Sequence, residues 1–198
     1  MHPAATFKVE DADVLLAHLA ARPFVTLAAA PDGRARIAHA PVVVRGLASG
    51  LALDFHISRG NALAPFLAAG FRGVAVSLET EAYVSPDWYE SADQVPTWNY
   101  VSVEAEGPVG AMDDHGLVTL LDDLAAQEEG RLAPKPPWTR GKMSPGLFET
   151  MTRAIVGVRM TVERLEGVTK LSQNKNDADR AGVIAALGDH PIARLMRG

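Results

Sequence analysis

Two short stretches carry side chains that neither a hydrophobic core nor a plain surface selects. One is Pro96-Thr97-Trp98-Asn99-Tyr100, preceded by Tyr83-Val84-Ser85-Pro86-Asp87-Trp88-Tyr89; the other is Lys170-Leu171-Ser172-Gln173-Asn174. Aromatic rings offer faces for stacking, amides read the edge of a heterocycle, and a lysine with hydroxyls meets an anion. Together these residue types describe a grip on a flat, polar-edged, anionic ligand. A third group, His56-Ile57-Ser58-Arg59-Gly60-Asn61, stands where a strand gives way to a short helical segment. Free backbone N–H groups at a helix start attract phosphate, and Arg59 adds a forked cation.

Each group also has a plainer reading. Asn61 can simply cap its helix while Arg59 pairs with a surface carboxylate. The 170–174 stretch can be a solvated loop leading into the helix capped by Asn176. Trp98 and Tyr100 share one strand face and suit a core or an interface, which leaves Thr97 and Asn99, on the other face, as the less easily explained pair.

Chemistry of other kinds is poorly provided for. There is no cysteine, so thiol nucleophiles, disulfides and Cys-based metal sites are excluded. The six histidines (His2, His18, His39, His56, His115 and His190) show no metal-ligand spacing. His39 and His56 fall on strands expected to be neighbours and can meet as a hydrogen-bonded structural pair. The sequence contains no Gly-x-Ser-x-Gly elbow, no dinucleotide-binding glycine fingerprint and no P-loop, and no catalytic acid or base stands out. The residues propose binding before they propose a reaction.

The elements that must position these groups are mostly strands. Apolar alternation predicts strands over 24–28, 37–44, 51–57, 74–79, 101–106 and 156–162, with Pro31-Asp32-Gly33 as a hairpin turn. Pro41 places part of the second strand at an edge or bulge. Helical spacing appears in four places: behind Asp11 (Val14, Leu15, His18, Leu19), from Leu117 to Leu124, after Ser144-Pro145, and from Asn176 to Gly188. A short helical segment carries Leu63, Phe66 and Leu67, and Glu166-Gly167 reads as a turn. The proline-rich, basic stretch from Gly130 to Lys142 is a loop with the character of a lid. Strands dominate and no βαβ repeat occurs, so a closed, helix-plugged barrel is the economical arrangement.

At 198 residues, 47% hydrophobic and 22% charged, the chain is expected to form one domain over 1–198 with a C-terminal helical extension. No apolar run is long enough for a membrane helix and no signal-peptide pattern opens the chain, so a cytoplasmic protein with no membrane partner is expected. The net charge of −5 disfavours nucleic acid unless basic residues cluster.

The chain resembles the PaiB family, described as FMN-binding negative transcriptional regulators. The resemblance runs through Arg22-Pro23-Phe24-Val25-Thr26-Leu27, Ala38-His39-Ala40-Pro41, the 56–61 group, Ala82 to Tyr89 and Val95 to Tyr100. It continues from Arg153-Ala154-Ile155-Val156-Gly157 through Lys170-Leu171-Ser172-Gln173-Asn174 to Asp179-Arg180-Ala181-Gly182-Val183. It implies a mainly β fold with helices, a split β-barrel of the FMN-binding, pyridoxamine-phosphate oxidase-like type. It also implies a homodimer with FMN at the interface. Carried over residue by residue, Arg59 and Asn61 meet the FMN phosphate beside His56. Thr97 and Asn99 approach the phosphate or ribityl chain. Lys170, Ser172 and Gln173 complete the pocket, and Trp88, Tyr89 and Trp98 line it or the dimer contact. The sequence departs from the family at Ser58, where alanine is expected, and at Thr169, where an aromatic is usual; losing that ring predicts weaker stacking on the flavin. A regulator's DNA or protein partner is implied by the family description, but no basic recognition helix is evident. An FMN-dependent oxidoreductase acting on a small molecule is the alternative. Haem handling through His39 or His56 ranks last.

Overall fold

The computed structural model describes residues 4–48 and 50–198, so His2 lies outside the described residues. Strand β1 (Lys8–Val9) precedes helix α1 (Ala12–Ala21). Then come β2 (Phe24–Ala29), β3 (Arg36–Pro41), β4 (Val43–Leu47) and β5 (Gly50–Ser58). Two long strands, β6 (Phe71–Val84) and β7 (Thr97–Ala111), flank the aromatic segment 85–96. The remaining elements are α2 (Asp114–Gly130), α3 (Leu147–Thr152), β8 (Ile155–Val162), β9 (Arg164–Lys170), α4 (Asp177–Leu187) and α5 (Pro191–Arg197). The strand order is β3-β2-β6-β7-β8-β5-β4, with β9 paired to β7 and β1 to β9. The β2–β3, β2–β6, β4–β5, β5–β8 and β7–β8 ladders are antiparallel.

The chain divides into two compact units built from interleaved segments. The first comprises residues 1–18, 77–104 and 165–198; the second comprises 19–76 and 105–164. In the first, Ala82, Val84, Tyr89, Val183, Ile192 and Met196 form a core, with Leu171 and Trp88 packed against it. In the second, Leu120 and Leu124 of α2 close over Val43. The second unit also buries a charge. Asp54, 1% exposed on β5, receives two hydrogen bonds of 2.7 Å from Arg159 and one of 3.1 Å from Arg45. Arg45 in turn reaches Asp123 on α2 at 2.6 Å. Burial of a carboxylate is tolerated here because the paired guanidinium groups satisfy both oxygens.

The expected helices form where the caps are strongest. Asp11 accepts from the backbone N–H of Asp13 and Val14, Asp113 from Gly116, and Asn176 from Asp179. Several strand expectations change. The 37–44 strand is two strands broken at Val42, whose N–H turns to the Pro23 carbonyl. Residues 52–55 are buried on both faces, so the one-sided burial implied by alternation in 51–57 does not hold. His39 and His56 do not sit on paired strands: His39 meets Thr26 at 3.1 Å, while His56 lies opposite Gly157 of β8. Glu166-Gly167 is not a turn. It lies within β9, where a Cβ on Gly167 would stand 2.4 Å from the Leu15 side chain. The glycine serves the close approach of α1 to the strand rather than a change of direction. Helix α5, not among the helices expected from the sequence, starts with Pro191 in its first turn and buries Ile192, Ala193 and Met196.

Candidate functional site

In the first unit, β7 begins at Thr97 and β9 ends at Lys170, and both ends open on one cleft of about 340 Å³. That volume lies within the range of small-ligand pockets. The Lys170 ammonium donates to the Thr97 hydroxyl and stands 5.8 Å from the centre of the Phe7 ring. Deeper in, Asn99 is fully buried; its Nδ2 donates to Ser172 Oγ at 2.9 Å and the Ser172 hydroxyl returns to Asn99 Oδ1 at 3.3 Å. Ser172 is 3% exposed with φ of 57°. A left-handed serine costs about 1 kcal/mol or more and persists only where its surroundings hold it. Here Asn99, Leu171 in the core and the Ser172 carbonyl bonded to Lys175 N–H hold it.

The Lys170 ammonium is pushed below the ordinary lysine range, first by burial and then by the nearby Lys175 ammonium. Lys175 lines the same cleft, donates to Gln94 and lies 4.9 Å from the centre of the Tyr89 ring. Among the described residues no carboxylate lines this cleft. Burial raises the Tyr89 phenol. The rim is tied down by Asp179, 2% exposed, which accepts from Ser91 N–H at 2.9 Å and is held below the usual carboxylate range chiefly by that bond. Arg180 reaches back to the Leu171 and Met196 carbonyls.

Thus Thr97, Asn99, Lys170 and Ser172 come together, as their sequence positions suggested. Gln173 and Trp98 do not line the cleft. The Gln173 amide is spent on bracing: its oxygen accepts from Leu171 N–H and its nitrogen reaches the Thr169 and Thr6 carbonyls. Trp98 is 55% exposed and meets Tyr83 edge-on at 5.9 Å, while Tyr83 meets Trp88 at 6.4 Å. Sequence reasoning missed Lys175 and Asp179. Only their position on either side of the Asn176 cap hinted that both are tied to the loop.

Arg59, Asn61 and His56 belong to the second unit. Arg59 Nε donates to the Arg153 carbonyl at 2.9 Å, and its guanidinium lines a separate cleft of about 390 Å³ together with Arg140 and Arg153. Asn61 Oδ1 accepts from Leu63 N–H at 2.9 Å, so its carbonyl holds the short helical turn at Ala64–Phe66. Ser58 Oγ accepts from Gly60 N–H, closing the bend that follows β5. The buried His56 Nδ1 has no hydrogen-bond partner among the described residues, and burial pushes the imidazole below the ordinary histidine range. Among the described residues no group of three or more His, Asp or Glu side chains could hold a metal ion.

Two ammonium groups, two hydroxyls and a buried amide around an acid-free cleft suit the ribityl and phosphate chemistry of a flavin nucleotide. A family model described as "Putative FMN-binding domain" matches residues 1–164. The chain is 28% identical over 192 residues to the protease synthase and sporulation protein PAI 2 of Bacillus subtilis, covering 96% of this chain and 91% of that one. It is 31% identical over 120 residues to an uncharacterised protein of Aspergillus fumigatus, covering 52% of this chain and 46% of that one. Among solved structures, the flavocytochrome Anf3 from Azotobacter vinelandii matches with a TM-score of 0.61 at 16% identity, covering 91% of this chain and 78% of that one. The FAD and heme binding protein from Mycobacterium smegmatis matches with a TM-score of 0.58 at 20% identity, covering 92% and 81%. The strand pairing agrees with that fold, and the match over most of its length makes this chain a member of the FMN-binding, PaiB-like family of split barrels, with a flavin as its cofactor.

Proposed function

We propose that the chain is a homodimeric FMN-binding regulator. The observation that carries the flavin part is the convergence of Thr97, Asn99, Lys170 and Ser172 on an acid-free cleft. Within the same unit, Gln173 is taken as a support of this cleft and Trp98 as a contact to a second copy; Arg59, with His56 and Asn61 near it in sequence, is taken as a separate anion contact in the second unit. Kinship with the Bacillus protein, whose name couples protease synthesis to sporulation, supports the regulatory part. The net charge of −5 favours output through a protein partner over direct DNA binding. The exposed Tyr83 and Trp98 rings supply an apolar face for a second copy.

The test is spectroscopic. Freshly purified protein, or protein titrated with FMN, should show flavin absorbance and quenched flavin fluorescence. Lys170→Glu should weaken FMN binding by tenfold or more, because it replaces a charge-assisted contact of about 1.5–3 kcal/mol with repulsion. Unchanged affinity in that variant would place the flavin elsewhere.

One observation favours a second reading, an FMN-dependent oxidoreductase. His56 is half-buried, its Nδ1 has no hydrogen-bond partner among the described residues and burial lowers its pKa; it is the kind of group that carries a proton beside a redox cofactor. Bleaching of bound flavin by NADH or NADPH under argon, with recovery on admitting air, would support turnover; a flavin inert to both would leave regulation alone.

A further inference from the structure

The cleft in the first unit holds two cations, Lys170 and Lys175. Both line it, each beside an aromatic ring: Phe7 at 5.8 Å from Lys170 and Tyr89 at 4.9 Å from Lys175. Neither ammonium has a carboxylate within salt-bridge distance among the described residues. Each rests instead on a neutral oxygen, Thr97 Oγ1 or Gln94 Oε1. Two half-buried like charges facing one space repel, and that repulsion adds to burial in depressing Lys170. Asp179 is near enough to feel Lys175, but its carboxylate is taken up by Ser91 and none lines the cleft among the described residues; such a pair of lysines is preorganised for an anion able to satisfy both.

Lys175 is fixed rather than swinging freely. Its backbone N–H is bonded to the carbonyl of the left-handed Ser172 at 2.9 Å, and the next residue, Asn176, caps α4. The Gln94 that receives it lies on a segment fastened to α4 by the Ser91–Asp179 and Ser91–Asn176 bonds. The Thr97 hydroxyl adds a donor in the same cleft, while the Ser172 hydroxyl is engaged with Asn99. Two cations and the Thr97 hydroxyl match the charge and oxygen count of a phosphate monoester dianion better than those of a single carboxylate.

We propose that Lys175 is the second cation of a phosphate seat in this cleft and sets its preference for a phosphorylated over an unphosphorylated ligand. The proposal rests on the reading that Lys170 meets the anionic tail of the flavin, but its own claim concerns Lys175 and phosphate. The tail of FMN or a separate phosphate-bearing molecule presents the same chemistry.

The experiment titrates FMN, riboflavin and inorganic phosphate into the full-length chain and into Lys175→Met, which keeps the apolar stem over Tyr89. Expected for the wild type are FMN binding at least tenfold tighter than riboflavin and competition by phosphate. In K175M, FMN affinity should fall at least tenfold, riboflavin affinity should hold, and phosphate should no longer compete. If neither flavin binds the wild type, yet phosphate raises its melting temperature and not that of K175M, the seat stands and the flavin reading of the cleft falls. The proposal is overturned if K175M keeps wild-type FMN affinity and phosphate response. It is equally overturned if FMN and riboflavin weaken together in K175M, which marks a merely structural lysine, or if phosphate neither competes nor stabilises in the wild type.

Discussion

Lys170 shows how one side chain can serve binding at a cost to folding. Its ammonium is depressed by burial and by Lys175, so it loses its charge at lower pH than a free lysine does. Two consequences of opposite sign follow. Affinity for FMN should fall as pH rises through the depressed value, before the ordinary lysine range is reached, because the charged form holds the phosphate. Stability of the flavin-free protein should rise over the same window, because the unfolded chain binds the proton more tightly than the folded one. Fluorescence titration and urea melts at matched alkaline pH values check both, and a common sign would show that Lys170 is not the group responsible. Asp54 is the contrasting case of a charge kept for structure. Asp54→Ala strands Arg159 and Arg45 and should destabilise the protein by about 3 kcal/mol, read from the urea midpoint.

Elements in this chain are held close by glycines whose purpose the sequence does not announce. Gly182 sits inside α4, where a change to alanine ordinarily gains about 1 kcal/mol of helix propensity. A Cβ there would stand 2.0 Å from the backbone carbonyl of Trp88, and a carbonyl cannot rotate aside as a side chain can. Gly182→Ala should therefore destabilise by about 1–3 kcal/mol, the reverse of the propensity expectation. It should also weaken FMN binding, since α4 anchors the 85–96 segment through Asp179. Thermal melts and flavin titration of the same preparation give both readouts.

For the whole molecule, the central expectation is self-association. Trp98 and Tyr83 expose 55% and 43% of their surface while stacked edge-on against each other, an arrangement that exposes apolar rings in a fixed shape. Light scattering should report about twice the 21.1 kDa chain mass. Trp98→Asp should shift the protein toward monomer with little change in its circular dichroism. The acidic balance makes a second expectation: promoter fragments should not be retarded at moderate salt, and any weak retardation should vanish steeply as salt rises.

Local signals survived folding well. Asp11, Asp113 and Asn176 cap the helices they precede because capping needs only a side chain and the next two or three N–H groups. The Thr97/Asn99 and Lys170/Ser172 pairs were legible as binding residues because their chemistry is unusual at strand ends. Signals that depend on distant partners were not legible. Gly167 resembles a turn glycine until α1 is seen lying on it, and Asp54 resembles a surface residue until Arg45 and Arg159 close on it. Gln173 looked like a ligand contact, yet its amide is taken up by the Leu171 N–H and the Thr169 and Thr6 carbonyls. The sequence by itself determined the strand-rich fold, the flavin-family kinship and the identity of the donor groups, since these are properties of residue type and order. Tertiary structure alone decided that Lys175 joins Lys170 at one acid-free cleft and that Arg59 lines another, because electrostatic neighbourhood is set by distances that chain order does not encode.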